Sequence, residues 1–592
     1  MKRGRIVLQI GLPLIAAALL VAFVSVPACA QQPVDSAVQV ETDYLNRGVV
    51  EDWSTRHVVF SNPGTLEDAR RCGKEAEWHR IVSDPRYRMQ WVKRYGAPYA
   101  QATAGQGSVG PERPKTDSTG MNLELRVVDP WRKIPPPDLL QRDWAVQLGS
   151  STASVAIGQY AAKYTFTPIG SPSCTADFVV FPIDKAGQAT QQANIIGVNN
   201  LYKTTCTGTV PNIKFSYFVG TGIVQTSPVL SQDGTKVAFV ETVTNGSIFH
   251  VLTLGTTGNN GTAFNSAVAP GAGNNAVDTK ITMNGGRTDS DSGPFVDYQN
   301  DVAYVGDDTG RVHKFTGVFL GTPAEAGAPW PHRAGTAALT GAVYDSASTN
   351  IFVGTAAGTL RCVTSAGANC ATASISVASG TTPGAVQDTP VVDSTNGKVY
   401  ATASNSTNSV VLQVNTSLGA AVRANMGVSG TDLYDGAFDN AYLSSTGGTG
   451  NLYFCGNGTS TALPTLLRIA ITNGTMSGSH DANSFTLATT AGTASDCTPL
   501  TEVLNGTTDY LFLGVRDNGF LPNCNGNTCV MTFVITSSFP SSGPLATLNN
   551  LGAAGVSGII IDNVSSATGA SQVYFGSLQN STGIQASQSG LQ

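Results

Sequence analysis

The chain has 592 residues and a formal net charge of −6, and charged residues make up only 12% of it. Apolar residues amount to 41%, which excludes a chain that is disordered for lack of hydrophobic residues. The net negative charge, without a stripe of basic residues, argues against nucleic acid as a partner.

The N-terminus has the pattern of an export signal. Three basic residues precede an apolar run from Ile6 to Val26, and Ala28-Cys29-Ala30 forms a small-x-small cleavage pattern. We therefore predict a signal peptide over residues 1–30 and a secreted, periplasmic or cell-surface protein, with no transmembrane span in the mature chain. Two alternatives stay open. The apolar run is long enough for a membrane anchor, and Cys29 could carry a lipid, although the proline two positions before it fits such a site poorly.

Residues 31–100 are predicted to form a helical N-terminal segment. Thr65 is placed to cap a helix, and Ser83-Asp84-Pro85 to begin another. Basic residues interleaved with glutamates are interpreted as a solvated helix face, or else as a docking surface for an acidic partner or for the acidic remainder of the chain. These basic residues are Arg70, Arg71, Lys74, Arg80, Arg86, Arg88, Lys93 and Arg94.

A Gly/Pro-rich linker and an extended segment follow over residues 101–142. Beyond it, β-branched and aromatic runs recur at a period of about 48 to about 65 residues, which is typical of propeller blades with four antiparallel strands. The runs are Phe178–Phe181, Val237–Val240, Val302–Gly306, Ile351–Gly354, Val399–Thr402, Leu452–Cys455, Leu511–Gly514 and Val573–Gly576. We predict an all-β fold, an eight-bladed β-propeller over residues 143–592, with seven blades as the alternative.

Each predicted blade starts with a small-Pro or small-apolar step, such as Thr389-Pro390, and an acid often follows at the first turn, such as Asp393. The last blade lacks its outer strand near the C-terminus. We predict that Trp144–Leu148 supplies this strand from the N-terminal side and holds the ring shut. Closure of the ring would remove exposed sheet edges.

Cysteines favour disulfides in an exported chain. Cys524 and Cys529 flank a hairpin-sized loop with an Asn-Gly turn, and Cys362 and Cys370 lie at the ends of neighbouring strand signals. The other two predicted pairs are Cys174 with Cys206 and Cys455 with Cys497.

Four aspartates precede the first strands of different blades: Asp291, Asp388, Asp435 and Asp496. The first strand of a blade is innermost, so these carboxylates would surround one mouth of the channel and could bind Ca²⁺. The alternative is that each accepts backbone N–H groups at the start of its strand. No other cofactor is indicated. His250 and His313 fall on the third strands of neighbouring blades and are interpreted as packing or surface residues.

Two segments resemble the repeat of pyrroloquinoline-quinone-like β-propellers: Gly293–Phe315 (GPFVDYQNDVAYVGDDTGRVHKF) and Asp388–Tyr400 (DTPVVDSTNGKVY). The resemblance implies the propeller architecture, whereas activities within this superfamily range from dehydrogenases to scaffolds and adhesins. The chain lacks the blade tryptophans and the adjacent cysteine pair that accompany the quinone in such enzymes. The cofactor is therefore not expected.

These observations favour a non-enzymatic binding scaffold or adhesin at the cell surface, whose ligand is a protein or a polysaccharide bound by loops on a rigid ring. Two alternatives stay open. One is a propeller enzyme, either a glycan hydrolase or lyase that uses carboxylates at the channel mouth or a degenerate quinoprotein. The other is a structural protein of the cell envelope. The oligomeric state is not predicted.

Overall fold

Each of the eight predicted runs forms the second strand of a separate antiparallel sheet. The computed structural model describes residues 49–51, 57–95, 140–166, 172–285, 288–289, 292–380, 383–429, 433–458, 463–488, 496–517, 519, 521, 524–536, 538–540, 543–562 and 572–588. First strands of neighbouring sheets contact one another around a common axis, and that of the eighth sheet contacts that of the first. The sheets are therefore the blades of a closed eight-bladed β-propeller, and the seven-bladed alternative is wrong.

We name the strands of each blade A to D from the axis outwards. Blade 1 comprises Ala162–Thr165, Phe178–Pro182, Ile195–Asn199 and Asn212–Tyr217. Blade 2 comprises Val229–Leu230, Lys236–Val243, Gly246–Thr253 and Val277–Thr282. Blade 3 comprises Phe295–Asp297, Val302–Gly306, Arg311–Thr316 and a divided strand D, Ala324–Glu325 and His332–Arg333. Blade 4 comprises Val343–Asp345, Asn350–Gly354, Thr359–Thr364 and Asn369–Ser376.

The remaining blades follow the same order. Blade 5 comprises Val391–Asp393, Lys398–Ser404, Asn408–Asn415 and Val422–Val428. Blade 6 comprises Ala437–Phe438, Gly450–Asn457, Pro464–Thr472 and a divided strand D, Thr475–Met476 and Ser484–Thr486. Blade 7 comprises Thr501–Asn505, Thr508–Val515, Cys529–Val534 and Ala546–Leu548. Blade 8 comprises Ile560–Asp562, Gln572–Ser577, Thr582–Gln588 and, as strand D, Leu140–Gln147.

The N-terminal strand of the last blade is the predicted clasp. Leu140–Gln147 pairs antiparallel with Thr582–Gln588, from Leu140 opposite Gln588 to Gln147 opposite Thr582. Trp144 anchors the strand, because its buried indole donates from Nε1 to the Leu201 carbonyl of blade 1 at 2.9 Å. The clasp thus joins the two ends of the ring, beginning earlier than the predicted Trp144 and ending at Gln147.

The central residues of strand B are mainly apolar because the neighbouring blades cover both faces of the strand. In blade 3 all of Val302–Gly306 is buried. The glycine at the end of strand B donates its backbone N–H to a hydroxyl group just before strand A of the same blade. Gly306 N donates to Ser292 Oγ at 2.7 Å, and Gly354 N donates to Thr340 Oγ1 at 2.9 Å. This repeated bond explains why a Ser or Thr precedes strand A when a Gly ends strand B.

All four predicted cysteine pairs form disulfides. Three join segments within one blade: Cys174–Cys206, Cys362–Cys370 and Cys524–Cys529. The fourth, Cys455–Cys497, links blade 6 to the segment that leads into blade 7. Each pair therefore fixes a local connection in the ring.

Four α-helices are described: α1 (Leu66–Arg71), α2 (Glu75–Ser83), α3 (Pro85–Tyr95) and α4 (Asn440–Ser444). A 3₁₀ turn covers Phe264–Ser266. Thr65 caps α1 as predicted, because its side chain accepts from Asp68 N at 2.8 Å. Within the described ranges, no helix is both long and apolar enough to cross a membrane.

Candidate functional site

Two short N-terminal strands enter the channel and add to the inner edges of opposite blades. The first, β1 (Val49–Glu51), pairs antiparallel with strand A of blade 1. The second, β2 (Val58–Val59), pairs in parallel with strand A of blade 5, where Val392 N donates to the His57 carbonyl and Ser394 N to the Val59 carbonyl. We call residues 49–51 and 57–95 the plug, because they occupy the axis of the ring.

Helices α1 to α3 of the plug lie over one face of the propeller. Arg80 reaches the Ala347 carbonyl in the A–B turn of blade 4, and Ser83 accepts from Gln299 Nε2 in the A–B turn of blade 3 at 2.8 Å. Because these turns lie on one face, we call it the cap face. The B–C and D–A connections lie on the opposite face, which we call the loop face.

A buried ion pair ties the end of the plug to blade 7. Arg94 donates to both carboxylate oxygens of Glu502, at 2.9 and 2.6 Å, and also to Asn440 Oδ1 at 2.8 Å. Both side chains of the pair are less than a tenth exposed. Such bidentate Arg–carboxylate contacts are strong and fix orientation. The sequence analysis did not identify a partner for Glu502.

The carboxylate of Glu502 also affects the pKa of a neighbouring acid, Asp509. Burial and the nearby Glu502 carboxylate raise the pKa of Asp509 to about 10. Asp509 is therefore protonated at neutral pH, and its Oδ2 accepts from Asn440 N at 2.7 Å. The cluster at this end of the plug thus carries one cation and one anion.

A second buried arginine fixes the plug to blade 3. The Arg86 guanidinium lies over the Phe295 ring at 4.2 Å, and Nη2 donates to the Val296 carbonyl. Its Nη1 is 3.2 Å from Asp84 Oδ2. Burial raises the pKa of Asp84, although the charge of Arg86 opposes this shift. Arg86 therefore docks on the propeller, which the alternative interpretation of the basic cluster had predicted.

Two other basic residues of the cluster do not contact the propeller in the pairs described. Arg70 is more than half exposed and pairs with Glu75, and Arg71 is about half exposed and contacts Asp68. These residues fit the interpretation as a solvated helix face. The side chains of Arg88 and Lys93 lie outside the described residues. The sequence alone could not show which basic residues dock on the propeller and which stay exposed, because all of them have the same charge and lie in similar helical surroundings.

Blade 5 holds the plug through a third contact. Ser61 Oγ donates to the Asp393 carboxylate at 3.1 Å, and Tyr442 OH donates to the same carboxylate. Thr395 Oγ1 donates to the Ser61 carbonyl at 2.8 Å. Burial raises the pKa of Asp393, which these hydrogen bonds counteract. Asp393 also accepts from the backbone of its own A–B turn, as the predicted turn acids do.

Three of the four predicted calcium ligands are described, and the structure brings two of them, Asp388 and Asp435, into contact. Asp388 accepts from Thr389 N at 2.8 Å and from Asp435 N at 3.0 Å. Asp435 pairs with His57 of the plug at 3.1 Å, and Asp496 is buried 3.9 Å from Arg516 Nη1. Asp291 lies outside the described residues. Among the residues that are described, no group of three or more His, Cys, Asp or Glu side chains is placed to hold a metal ion, so the calcium site stays a prediction.

Sequence analysis did not predict the partners of the two strand-C histidines. His250 Nδ1 lies 3.0 Å from Asp278 on strand D, and Nε2 lies 3.2 Å from Glu241 on strand B. His313 repeats the arrangement in blade 3, with Glu325 at 2.7 Å and Asp307 at 3.3 Å. Because the acids lie on flanking strands, only the strand register could have revealed them.

These histidines hold a proton more tightly than usual. Burial lowers the pKa of His250, but its hydrogen bonds to Asp278 and Glu241 outweigh this effect, and the net pKa is raised. The pKa of His313 is raised in the same way by Asp307 and Glu325 against the effect of burial. Blades 2 and 3 therefore each contain a buried histidine between two acidic side chains.

Between the plug and blades 5, 6 and 7 lies a cavity of about 120 Å³. Helix α3 forms one wall, and strands A of the three blades form the others. The walls are mainly apolar, and Arg86, Arg94, Glu502 and Asp435 supply the charged groups.

The fold and this channel define the class of the protein as an eight-bladed β-propeller with a plugged channel. No known protein family matches the chain, and no curated protein sequence matches it either.

The chain is similar to several solved structures. BamB from Moraxella catarrhalis is 12% identical, with a TM-score of 0.38 over 76% of this chain and 97% of its own. Sqt1 from Chaetomium thermophilum, solved bound to the N-terminus of ribosomal protein L10, is 10% identical, with a TM-score of 0.42 over 75% and 99%. The computationally designed Ika8 protein is 11% identical, with a TM-score of 0.40 over 75% and 99%. Identities this low leave function open.

Proposed function

We propose that the protein is an exported, non-enzymatic binding scaffold that recognises a protein or polysaccharide at the cell surface through its loop face. The observation that carries the proposal is the plug. It places the chain's own residues at the axis and contacts blades 3, 4, 5 and 7 on the cap side, which leaves the loop face as the broad surface for a ligand. Loops on a rigid ring are well suited to recognition.

Two B–C loops of the loop face, in blades 7 and 5, are held in place by a disulfide or by hydrogen bonds. The B–C loop of blade 7 carries exposed Asn525, Gly526 and Asn527, and the Cys524–Cys529 disulfide closes its base. A pre-ordered loop loses less conformational entropy on binding. In blade 5, Asn405 Oδ1 accepts from the backbone of Thr407 and Asn408 and so orders the corresponding loop.

Export is part of the proposal. Four disulfides within the propeller suit an oxidising compartment. The predicted signal peptide lies outside the described residues and provides the sequence argument for the same location.

The enzyme alternative draws less support from the channel. Asp435, one of the channel-mouth carboxylates that this alternative would use, is paired with His57 of the plug. The quinoprotein form of this alternative would need the channel to accommodate a ring system with several carboxylates. The arginines that could receive them, Arg86 and Arg94, are already bound to Asp84 and Glu502. The present residues therefore do not fit that group.

A direct test uses purified full-length protein on an array of cell-surface polysaccharides and against the envelope-protein fraction of the source organism. Ser406→Arg and Asn527→Arg place a bulky charge on exposed positions of the loop face, whereas Ala76→Arg places the same charge on exposed helix α2 of the cap face. We expect a ligand whose binding the two loop-face variants reduce by about tenfold or more and Ala76→Arg leaves unchanged. A ligand lost only in Ala76→Arg, or glycan products released on incubation, would contradict the proposal.

A further inference from the structure

The cavity between the plug and blades 5 to 7 is a separate feature from the loop face. Its apolar wall includes Val391, Ala437, Leu500 and Val503 from the first strands of the three blades and the segment before blade 7. Val391 and Ala437 keep 7% and 9% of their surface exposed, whereas many residues in the blade cores keep none. Space of this kind in a close-packed interior is destabilising unless something fills it.

The charged side chains in the cavity wall already contact partners. Arg94 binds both oxygens of Glu502, Arg86 lies beside Asp84, and Asp435 contacts His57. An additional charged ligand would be buried without a counter-ion, which is costly. The occupant that suits this wall is therefore uncharged.

One donor in the wall remains available. Arg86 lines the cavity and is 93% buried, since 7% of its surface is exposed. Its Nη1 and Nη2 are engaged by Asp84 and Val296, whereas its Nε–H has no hydrogen-bond partner among the residues that the structure describes. A buried donor of this kind favours a ligand that brings an acceptor.

We propose that this cavity is a binding site for a small, uncharged, mainly apolar molecule with one hydrogen-bond acceptor, of the size of a single six-membered ring. The size follows from the volume, because a cavity of about 150 Å³ with apolar walls holds a benzene molecule. The apolar body contacts the inner strands, and the acceptor receives Arg86 Nε–H. The proposal does not depend on what the loop face binds.

The test uses three ring-sized probes with the full-length protein: cyclohexanone, which has an acceptor, cyclohexane, which has none, and benzoate, which is charged. Binding is followed by ligand-observed NMR and by the shift in melting temperature. We expect saturable binding of cyclohexanone, weaker binding of cyclohexane and no binding of benzoate.

Ala437→Leu fills the cavity, and we expect it to weaken cyclohexanone binding by about tenfold or more. The matched control is Ala441→Leu on the exposed side of α4, which is expected to bind as the wild type does. If Ala437→Leu does not fold, Val503→Ile is used in its place, because it adds a methyl group to another wall of the cavity. The proposal is overturned if no probe saturates the wild-type protein, if benzoate binds as well as cyclohexanone, or if the cavity-filling variant binds as tightly as the control.

Discussion

Lys163 and Asp562 are joined across the seam at which the ring closes. Lys163 lies on strand A of blade 1 and Asp562 on strand A of blade 8, and Nζ is 2.6 Å from Oδ2. Both side chains are almost completely buried. The first and last blades are therefore connected at the axis by this pair and at the rim by the clasp that Leu140–Gln147 provides.

Removing one partner of the seam pair is expected to destabilise the protein strongly. Asp562→Asn would leave the Lys163 charge buried, at a cost of about 3–5 kcal/mol, which thermal or urea unfolding would measure. The double variant Lys163→Met/Asp562→Leu removes both charges and is expected to recover most of the loss. The exposed pair of Arg70 and Glu75 is the control, and Glu75→Gln is expected to leave the melting temperature unchanged. A similar loss of stability in Asp562→Asn and in the control Glu75→Gln would contradict the role of the seam.

Arg94 is expected to hold the plug in the channel. Arg94→Met leaves the Glu502 carboxylate buried without its cation, so the plug should open more often. Hydrogen exchange at Val392 and Ser394 measures this opening, because these amides donate to carbonyls of the plug. We expect faster exchange at both amides and unchanged exchange in the remaining core of blade 5.

Arg71→Met is the control for the plug, because Arg71 is about half exposed and contacts only Asp68 of its own helix among the pairs described. It is expected to leave the exchange of Val392 and Ser394 unchanged. Equal exchange in the wild type and in Arg94→Met would show that the ion pair is not what retains the plug.

The glycine that ends strand B is expected to tolerate no side chain. A Cβ on Gly306 would lie 2.8 Å from Leu339 Cβ and 3.0 Å from the Thr340 carbonyl oxygen. Gly306→Ala should therefore cost about 1–3 kcal/mol through overpacking, measured as a lower melting temperature. Gly327→Ala is the control, because a Cβ there meets no atom within 4 Å. A loss of the same size in both variants would contradict the packing argument.

Local sequence patterns predicted the blades because each strand signal depends on a few neighbouring residues. Runs such as Val302–Gly306 are fully buried second strands, and the clasp followed from a last blade that lacked a strand. The insertion of β2 into the channel could not be predicted, because β2 has only Val58 and Val59 in its ladder and pairs with residues more than 300 positions away. The partners of Arg94 and His250 depend in the same way on tertiary placement and register, which composition and spacing do not contain.

Calcium is the direct test of the predicted channel-mouth site. If Asp291, Asp388, Asp435 and Asp496 share a calcium ion, millimolar calcium should raise the melting temperature, a chelator should reverse the shift, and Asp388→Asn should reduce it. The control is Asp481→Asn, which changes a partly exposed acid that pairs with Arg468 and should leave the calcium shift unaffected. An unchanged melting temperature with calcium would favour the alternative, in which Asp388 serves as an acceptor for backbone N–H groups.

The paired histidines are expected to make stability depend on pH. The pKa values of His250 and His313 are raised in the folded state, so their contribution is complete below the unfolded value of about 6.5 and is lost as pH rises through the folded values. The pKa values of Glu241 and Asp307 are lowered despite burial, chiefly by hydrogen bonds from these histidines, so their contribution is lost as pH falls through the lowered values. Stability from both triads should therefore be greatest between these limits.

His250→Gln removes the imidazole between Glu241 and Asp278, whose side chains are almost fully buried. We expect a loss of about 3–5 kcal/mol at pH 6, below the raised pKa of His250, because two carboxylates are then left without their counter-ion. Melting temperatures measured from pH 6 to pH 9 should fall less steeply for the variant than for the wild type, since the proton that the wild type loses over this range is absent. His79→Gln, at a histidine that is more than half exposed, should follow the wild-type profile. Parallel profiles for His250→Gln and the wild type would mean that the buried histidine does not change its protonation between the folded and unfolded states.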